Sequence, residues 1–159
     1  MDEVAALKAP QIIGWREWLA LPDLDIRYLK CKIDTGARTS ALHAYFVEPE
    51  SALNLVMFGI HPIKKREDVS IICTTEFLET RMVTDSGGHQ ERRYVIVTHV
   101  VLGGRKWPIE ITLTNRDSMR FRMLLGRTGI PFGTLVDPTV SYLTGKPDLS
   151  DFINGLAKD

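Results

Sequence analysis

The sequence predicts an all-β, barrel-like domain. Short apolar stretches recur with a two-residue period, as in Leu29-Lys30-Cys31-Lys32-Ile33 and from Trp107 to Leu113. Turn residues separate them at Pro22-Asp23, Gly87-Gly88, Gly103-Gly104 and Asn115-Arg116. A helical pattern occurs at the end of the chain, from Leu149 to Lys158. The 159 residues, 44% of them apolar, are enough for one domain with a substantial core.

In order, residues 1–10 read as a loose lead-in, 11–147 as the domain, and 148–159 as a closing helix capped by Asp148 or Ser150. Ile12 to Leu19 is the first strand, and Ile26 to Ile33 returns after the Pro22 turn. Ala41 to Val47 and Leu55 to Ile60 are further strands, with a turn between them. Charged residues and Pro62 make 61–68 a loop. Val69 to Phe77 is apolar and β-branched. Glu79 to Val83 and Arg92 to Leu102 flank a glycine tip, the signature of a hairpin. Trp107 to Leu113 follows the turn at Gly103-Gly104. Phe121 to Leu125 ends at Gly126, Arg127 to Ile130 is a short helical turn, and Gly133 to Val136 and Val140 to Leu143 are short strands.

The chemistry gathers at Asp34-Thr35-Gly36-Ala37. A strand stops at Asp34, and Gly36 allows a tight turn. A carboxylate on such a turn is held firmly and still faces a cleft. Asp-Thr-Gly-Ala resembles the catalytic loop of the retropepsin-like aspartic peptidases. Met123-Leu124-Leu125-Gly126-Arg127 resembles their second motif, a strand packed behind that loop. The longer string from Asp34 to Ala44, with Ile13-Gly14-Trp15-Arg16-Glu17-Trp18 and Val136-Asp137-Pro138, resembles one bacterial family, RimB, over about residues 12 to 143.

The resemblance implies a retropepsin-like closed barrel with a flap hairpin over the cleft. It implies an endopeptidase in which two carboxylates share a water and a proton. The chain has one well-formed triplet, so the expected enzyme is a homodimer with one Asp34 from each protomer. Thr35 would bond across the interface, with Gly36 completing the catalytic set. Ala37, Arg38 and Thr39 would bind substrate from below, and Ser86, Gly87 and Gly88 from the flap. Leu124, Leu125, Gly126 and Arg127 would support the loop. Asp85-Ser86-Gly87-Gly88 mimics a second triplet, but it lacks the preceding apolar strand and reads as the flap tip.

Viral retropepsins place acids after Asp-Thr-Gly-Ala, where this chain has Arg38, Thr39 and Ser40. Arg38 could pair with acidic substrate side chains, cap a loop or meet a core acid. The family is encoded near the RimK ribosomal-protein glutamate ligase. That implies a glutamate-rich substrate, such as a glutamate-tailed ribosomal protein.

A label used for the family names an ATP-dependent zinc protease, but the residues supply no motif for either cofactor. There is no His-Glu-x-x-His, no paired-cysteine spacing and no phosphate loop. His43, His61, His89 and His99 are scattered, with His43 the one nearest Asp34 in sequence. No metal or other cofactor is therefore expected. A metal-dependent peptidase and a non-catalytic peptide-binding module of the same fold are the alternatives. Twenty basic and twenty acidic residues cancel, so neither direct nucleic-acid binding nor a membrane partner is expected. Cys31 and Cys73 read as buried thiols, and Met1 to Pro10 has acids and no long apolar run, which points to the cytoplasm.

Overall fold

The structure is a computed structural model that describes residues 9–116 and 119–150. The chain opens with β1 (Gln11–Leu21), turns through a 3-10 segment at Pro22–Leu24, and returns as β2 (Ile26–Asp34). After the Asp34 loop come β3 (Ser40–His43), β4 (Phe46–Glu50), β5 (Leu55–Ile60) and β6 (Ile71–Glu76). β7 (Glu79–Thr84) and the long β8 (Gln90–Leu102) form a hairpin, and β9 (Arg105–Thr114) follows. β10 (Met123–Gly126), a 3-10 turn at Arg127–Gly129, and β11 (Thr134–Ser141) complete the described chain.

Six strands close into a barrel in the order β1, β2, β10, β3, β9, β8. The ring closes where β8 meets β1 at Val101 and Ala20. β11 adds to the outside of β1, and β7 extends β8 beyond the ring. Closure satisfies both ladders of each barrel strand without leaving an open edge. The two-residue period sends Leu29, Cys31 and Ile33 inward, where they meet Leu42, Ile96, Ile111, Met123 and Leu125. β4, β5 and β6 form a separate three-stranded sheet whose Phe58 and Ile60 are fully buried against the same core. Cys31 and Cys73 are free thiols in this interior, and burial pushes the Cys73 thiol up to about 12.

Two segments differ from the sequence reading. Ala41 to Val47 is two strands, because the chain leaves the barrel between them. The Ala44 amide still bonds Thr114, whereas the Tyr45 amide bonds Gly59 of the second sheet. Residues 133–143 hold one strand rather than two, running through Pro138 on an outer edge where the missing N–H costs nothing. Of the expected closing helix, residues 151–159 lie outside the described residues. Turn and hairpin positions agree well. Gly103 and Gly104 both take positive φ, 59° and 78°, the backbone a two-residue hairpin of this hand requires.

β1 bends at a bulge between Gly14 and Arg16, where it runs beside β11. Glu17, fully buried, holds the bend. One carboxylate oxygen accepts the amides of Gly14 (2.6 Å) and Leu143 (3.0 Å). The other accepts the amide and hydroxyl of Thr144. The Gly14-Trp-Arg-Glu17 string is thus a self-contained staple joining the first strand to the chain after β11.

Candidate active site

Asp34 ends β2 on the wall of a cleft of about 980 Å³, a volume suited to a peptide segment. Its Oδ1 accepts the amides of Gly36 and Ala37, both at 3.1 Å. The carboxylate is therefore fixed through one oxygen. Oδ2 has no hydrogen-bond partner among the described residues.

The loop rests on β10 and the turn after it. β10 runs parallel to β2, with Leu125 opposite Ile33 and Gly126 opposite Asp34. The Gly126 amide donates to Ser40 Oγ, and the Arg127 amide donates to Ala37 O at 2.7 Å. The Arg127 side chain reaches Thr35 O, and Thr128 bonds Arg38 O through both its amide and its hydroxyl. Gly126 must be glycine on contact grounds, since a Cβ would lie 2.4 Å from the Thr39 carbonyl oxygen. Gly126→Ala is expected to destabilise the fold by about 3 kcal/mol, the upper range for overpacking, and to displace the loop. A urea midpoint unchanged by the substitution would contradict this contact.

The hairpin of β7 and β8 forms the opposite wall. Arg81 to Ser86 line the cleft, facing Gly36 to Thr39. Of the three expected flap residues, Ser86 lines the cleft and Gly87 and Gly88 are not among its lining residues; Gly88 takes φ 84° at the tip. Asp85 organises that tip. Its Oδ1 accepts the amides of Gly87 and His89, and its Oδ2 pairs with Arg116 at 2.7 Å. This carboxylate is committed to the hairpin. The His89 amide bond, with Arg116 and the Gly87 amide, holds its titration below the ordinary 3.8.

The sign of that shift sets a pH response. A carboxyl held low in the folded hairpin stabilises it at any pH above 3.8 and loses the contribution as pH falls through the depressed value. The tip and its Arg116 clasp are expected to loosen only below that range. Hydrogen exchange of the Gly87 and His89 amides would read it, and loosening near neutral pH would contradict it.

Arg116 was not foreseen from the sequence, and neither were Arg81, Arg93 and Glu110, which also line the cleft. Arg81 pairs with Glu79 and with Glu110 (2.9 Å), and buried Arg93 pairs with Glu91 (2.9 Å). Arg38, by contrast, lines the cleft with no ion pair among the described residues. His43 is not among the residues lining the cleft. It is buried at the end of β3, and its Nδ1 accepts the Arg116 amide at 3.0 Å, positioning the residue that clasps the flap. His61 stacks on Tyr45, and His99 bonds Asp23. Among the described residues, no three His, Cys, Asp or Glu side chains come together to hold a metal ion. No helix among them is long and apolar enough to cross a membrane. Thr35 is exposed at the loop crest.

A six-strand barrel with an Asp-Thr-Gly turn, an apolar-apolar-Gly strand behind it and a hairpin in front has the retropepsin-like architecture. The chain belongs to the RimB-like family, whose model, described as retropepsin-like aspartic endopeptidase RimB, matches residues 12–147. Curated relatives are named probable alpha-L-glutamate ligase. One from Shewanella pealeana is 42% identical over 137 residues, covering 85% of this chain and 30% of the relative. One from Parasynechococcus marenigrum is 43% identical over 136 residues, covering 84% and 29%. This chain thus spans less than a third of these relatives. A solved protein of unknown function from Legionella pneumophila superposes with a TM-score of 0.69 at 27% identity, covering 84% of this chain and 98% of that one.

Proposed function

We propose that this chain is an aspartic endopeptidase that works as a homodimer, with Asp34 of each protomer meeting at the two-fold axis. The supporting observation is the set of Asp34 contacts: one oxygen anchored by two amides, the other without a partner among the described residues, on the wall of a peptide-sized cleft. Asp85 is occupied with its hairpin, and Glu110 is paired with Arg81. A second free carboxylate is therefore best supplied by another copy. Two carboxylates held together share one proton. The ionised one takes a proton from water as it attacks the peptide carbonyl, and the protonated one donates to the carbonyl oxygen. Thr35, exposed beside Asp34, would tie the two loops across the interface. The hairpin of β7 and β8 would close over the bound peptide.

Arg38, which has no ion pair among the described residues, supports a preference for acidic peptides. The relatives carry a segment like this chain within longer proteins named as glutamate ligases. A peptidase allied to an enzyme that adds glutamate would process glutamate-bearing chains, such as a glutamate-tailed ribosomal protein in the cytoplasm. The test is hydrolysis of glutamate-rich and neutral peptides from acid to neutral pH, with and without EDTA. Cleavage indifferent to EDTA is expected. Cleavage abolished by EDTA would instead establish a metal-dependent peptidase, and none by folded dimer would favour a binding module. Arg38→Glu is expected to lower kcat/KM on acidic peptides about tenfold more than on neutral ones, the scale of one charge-assisted pair reversed. Equal losses would remove Arg38 from specificity.

A further inference from the structure

A second concavity, of about 330 Å³, lies on the outer face of the barrel and shares no lining residue with the cleft. Arg16, Lys30, Lys64, Arg120 and Arg122 line it, and no acidic residue does among the described residues. Among the described residues none of the five forms an ion pair. A net charge of zero over the whole chain makes five unneutralised cations in one hollow a local construction rather than a general surplus.

Two further observations point to an anionic occupant. Arg122 Nε is buried with no hydrogen-bond partner among the described residues, an unmet donor beside the hollow. Tyr142 has φ 58°, a backbone that bulky residues adopt only when their surroundings hold them there. That backbone sets its ring 5.0 Å from the Arg16 guanidinium, 5.7 Å from Lys30 Nζ and 5.0 Å from Lys146 Nζ. Lys30 also lies over Trp18, and Arg16 over Trp15. Aromatic contacts of this kind hold cations in place without neutralising them.

We infer that this hollow is an exosite for an acidic polypeptide, whose carboxylates meet the five cations. Nucleic acid is the less favoured polyanion, because Tyr142 and Trp18, the rings that would stack on bases, already carry the protein's own cations. A concave hollow also suits side chains better than a flat membrane. Along β2, Lys30 lies four residues before Asp34, about 13 Å of strand. The inference deepens the proposed function, and rests on it, in taking the bound polypeptide to be the flank of a substrate whose other part occupies the cleft.

The experiment uses the full chain carrying Asp34→Asn, so that peptide is not consumed. Fluorescence anisotropy at low salt follows a labelled decaglutamate peptide, a Gly-Ser peptide of equal length and a single-stranded oligonucleotide. Lys64 and Arg120 are exposed, so Lys64→Glu with Arg120→Glu should fold; Lys30→Gln is the second variant. Decaglutamate is expected to bind, to weaken about tenfold in the double variant, and to weaken with salt, as surface charge pairs do. Lys30→Gln should weaken it in the same direction. On the wild-type background, the double variant should raise KM for a long acidic peptide, leaving kcat and short-peptide cleavage unchanged. Decaglutamate affinity unchanged by both variants would overturn the exosite. So would an oligonucleotide that binds more tightly than decaglutamate through these residues. Failure of the peptidase reading is distinguishable, because it abolishes hydrolysis and leaves this binding intact.

Discussion

Asp34→Asn is expected to lower kcat/KM for peptide hydrolysis by at least about 10³-fold, within the range that positioned acid–base groups contribute. The fold should survive, because an Asn carbonyl oxygen can accept the same two amides, from Gly36 and Ala37, that Oδ1 accepts now. What it cannot do is take a proton from water or share one with a second carboxylate. The control is therefore built into the site. Unfolding would register in the near-ultraviolet dichroism and the thermal midpoint, whereas loss of chemistry leaves both unchanged. Activity retained in a folded Asp34→Asn protein would place catalysis elsewhere.

The largest effect on stability is expected at Glu17, far from the chemistry. Its carboxylate is fully buried and satisfies the amides of Gly14, Leu143 and Thr144 together with the Thr144 hydroxyl. Glu17→Ala leaves all four donors without their acceptor at once. Buried donors left unmet cost roughly 1–3 kcal/mol each, and water can rescue those of half-buried Thr144 in part, so the loss should be about 4 kcal/mol. Against a total of roughly 5–15 kcal/mol for a domain, that approaches unfolding at body temperature. Glu17→Gln keeps one acceptor oxygen and should lose about half as much. The urea midpoint reads both variants. A Glu17→Ala midpoint within error of wild type would show that the bulge of β1 is held by packing alone.

Much of the fold was legible because its signals are local. Alternation in Leu29 to Ile33 and from Trp107 to Leu113 specifies a strand with one inward face, and paired glycines specify hairpins; neither needs a distant partner. Gly126 was legible as part of a motif, and the structure supplies its reason, a backbone carbonyl 2.4 Å from where a Cβ would stand. The split after His43 was not legible. Apolar residues run on through Ala44 and Phe46, and only the amide partners of Ala44 and Tyr45, Thr114 and then Gly59, decide that the chain changes sheets. The single strand through Pro138 was not legible either, because the tolerance of proline there depends on β11 lying at an edge.

The Asp34 turn and its supporting strand could be read from sequence for the same local reason. The charge pattern across the cleft could not. Arg116 clasping Asp85, and Arg81 bridging Glu79 and Glu110, join residues that only the folded barrel brings together. They matter because they leave Arg38 as the cleft cation without an ion pair among the described residues. The same holds for Arg16, Lys30 and Arg122, each unremarkable on its own strand or loop and assembled only by the pairing of β1, β2 and β10.

Each active site is expected to be shared, with one Asp34 from each of two copies. Mixing tests it directly. Wild-type protein at fixed concentration is exchanged with increasing Asp34→Asn protein, and peptide hydrolysis is followed. A shared site predicts that activity falls as inactive subunits capture wild-type ones, towards zero at large excess. Activity that stays constant per wild-type chain would mean that a single chain carries a complete site, and Asp34 would not be half of a carboxylate pair shared between two copies.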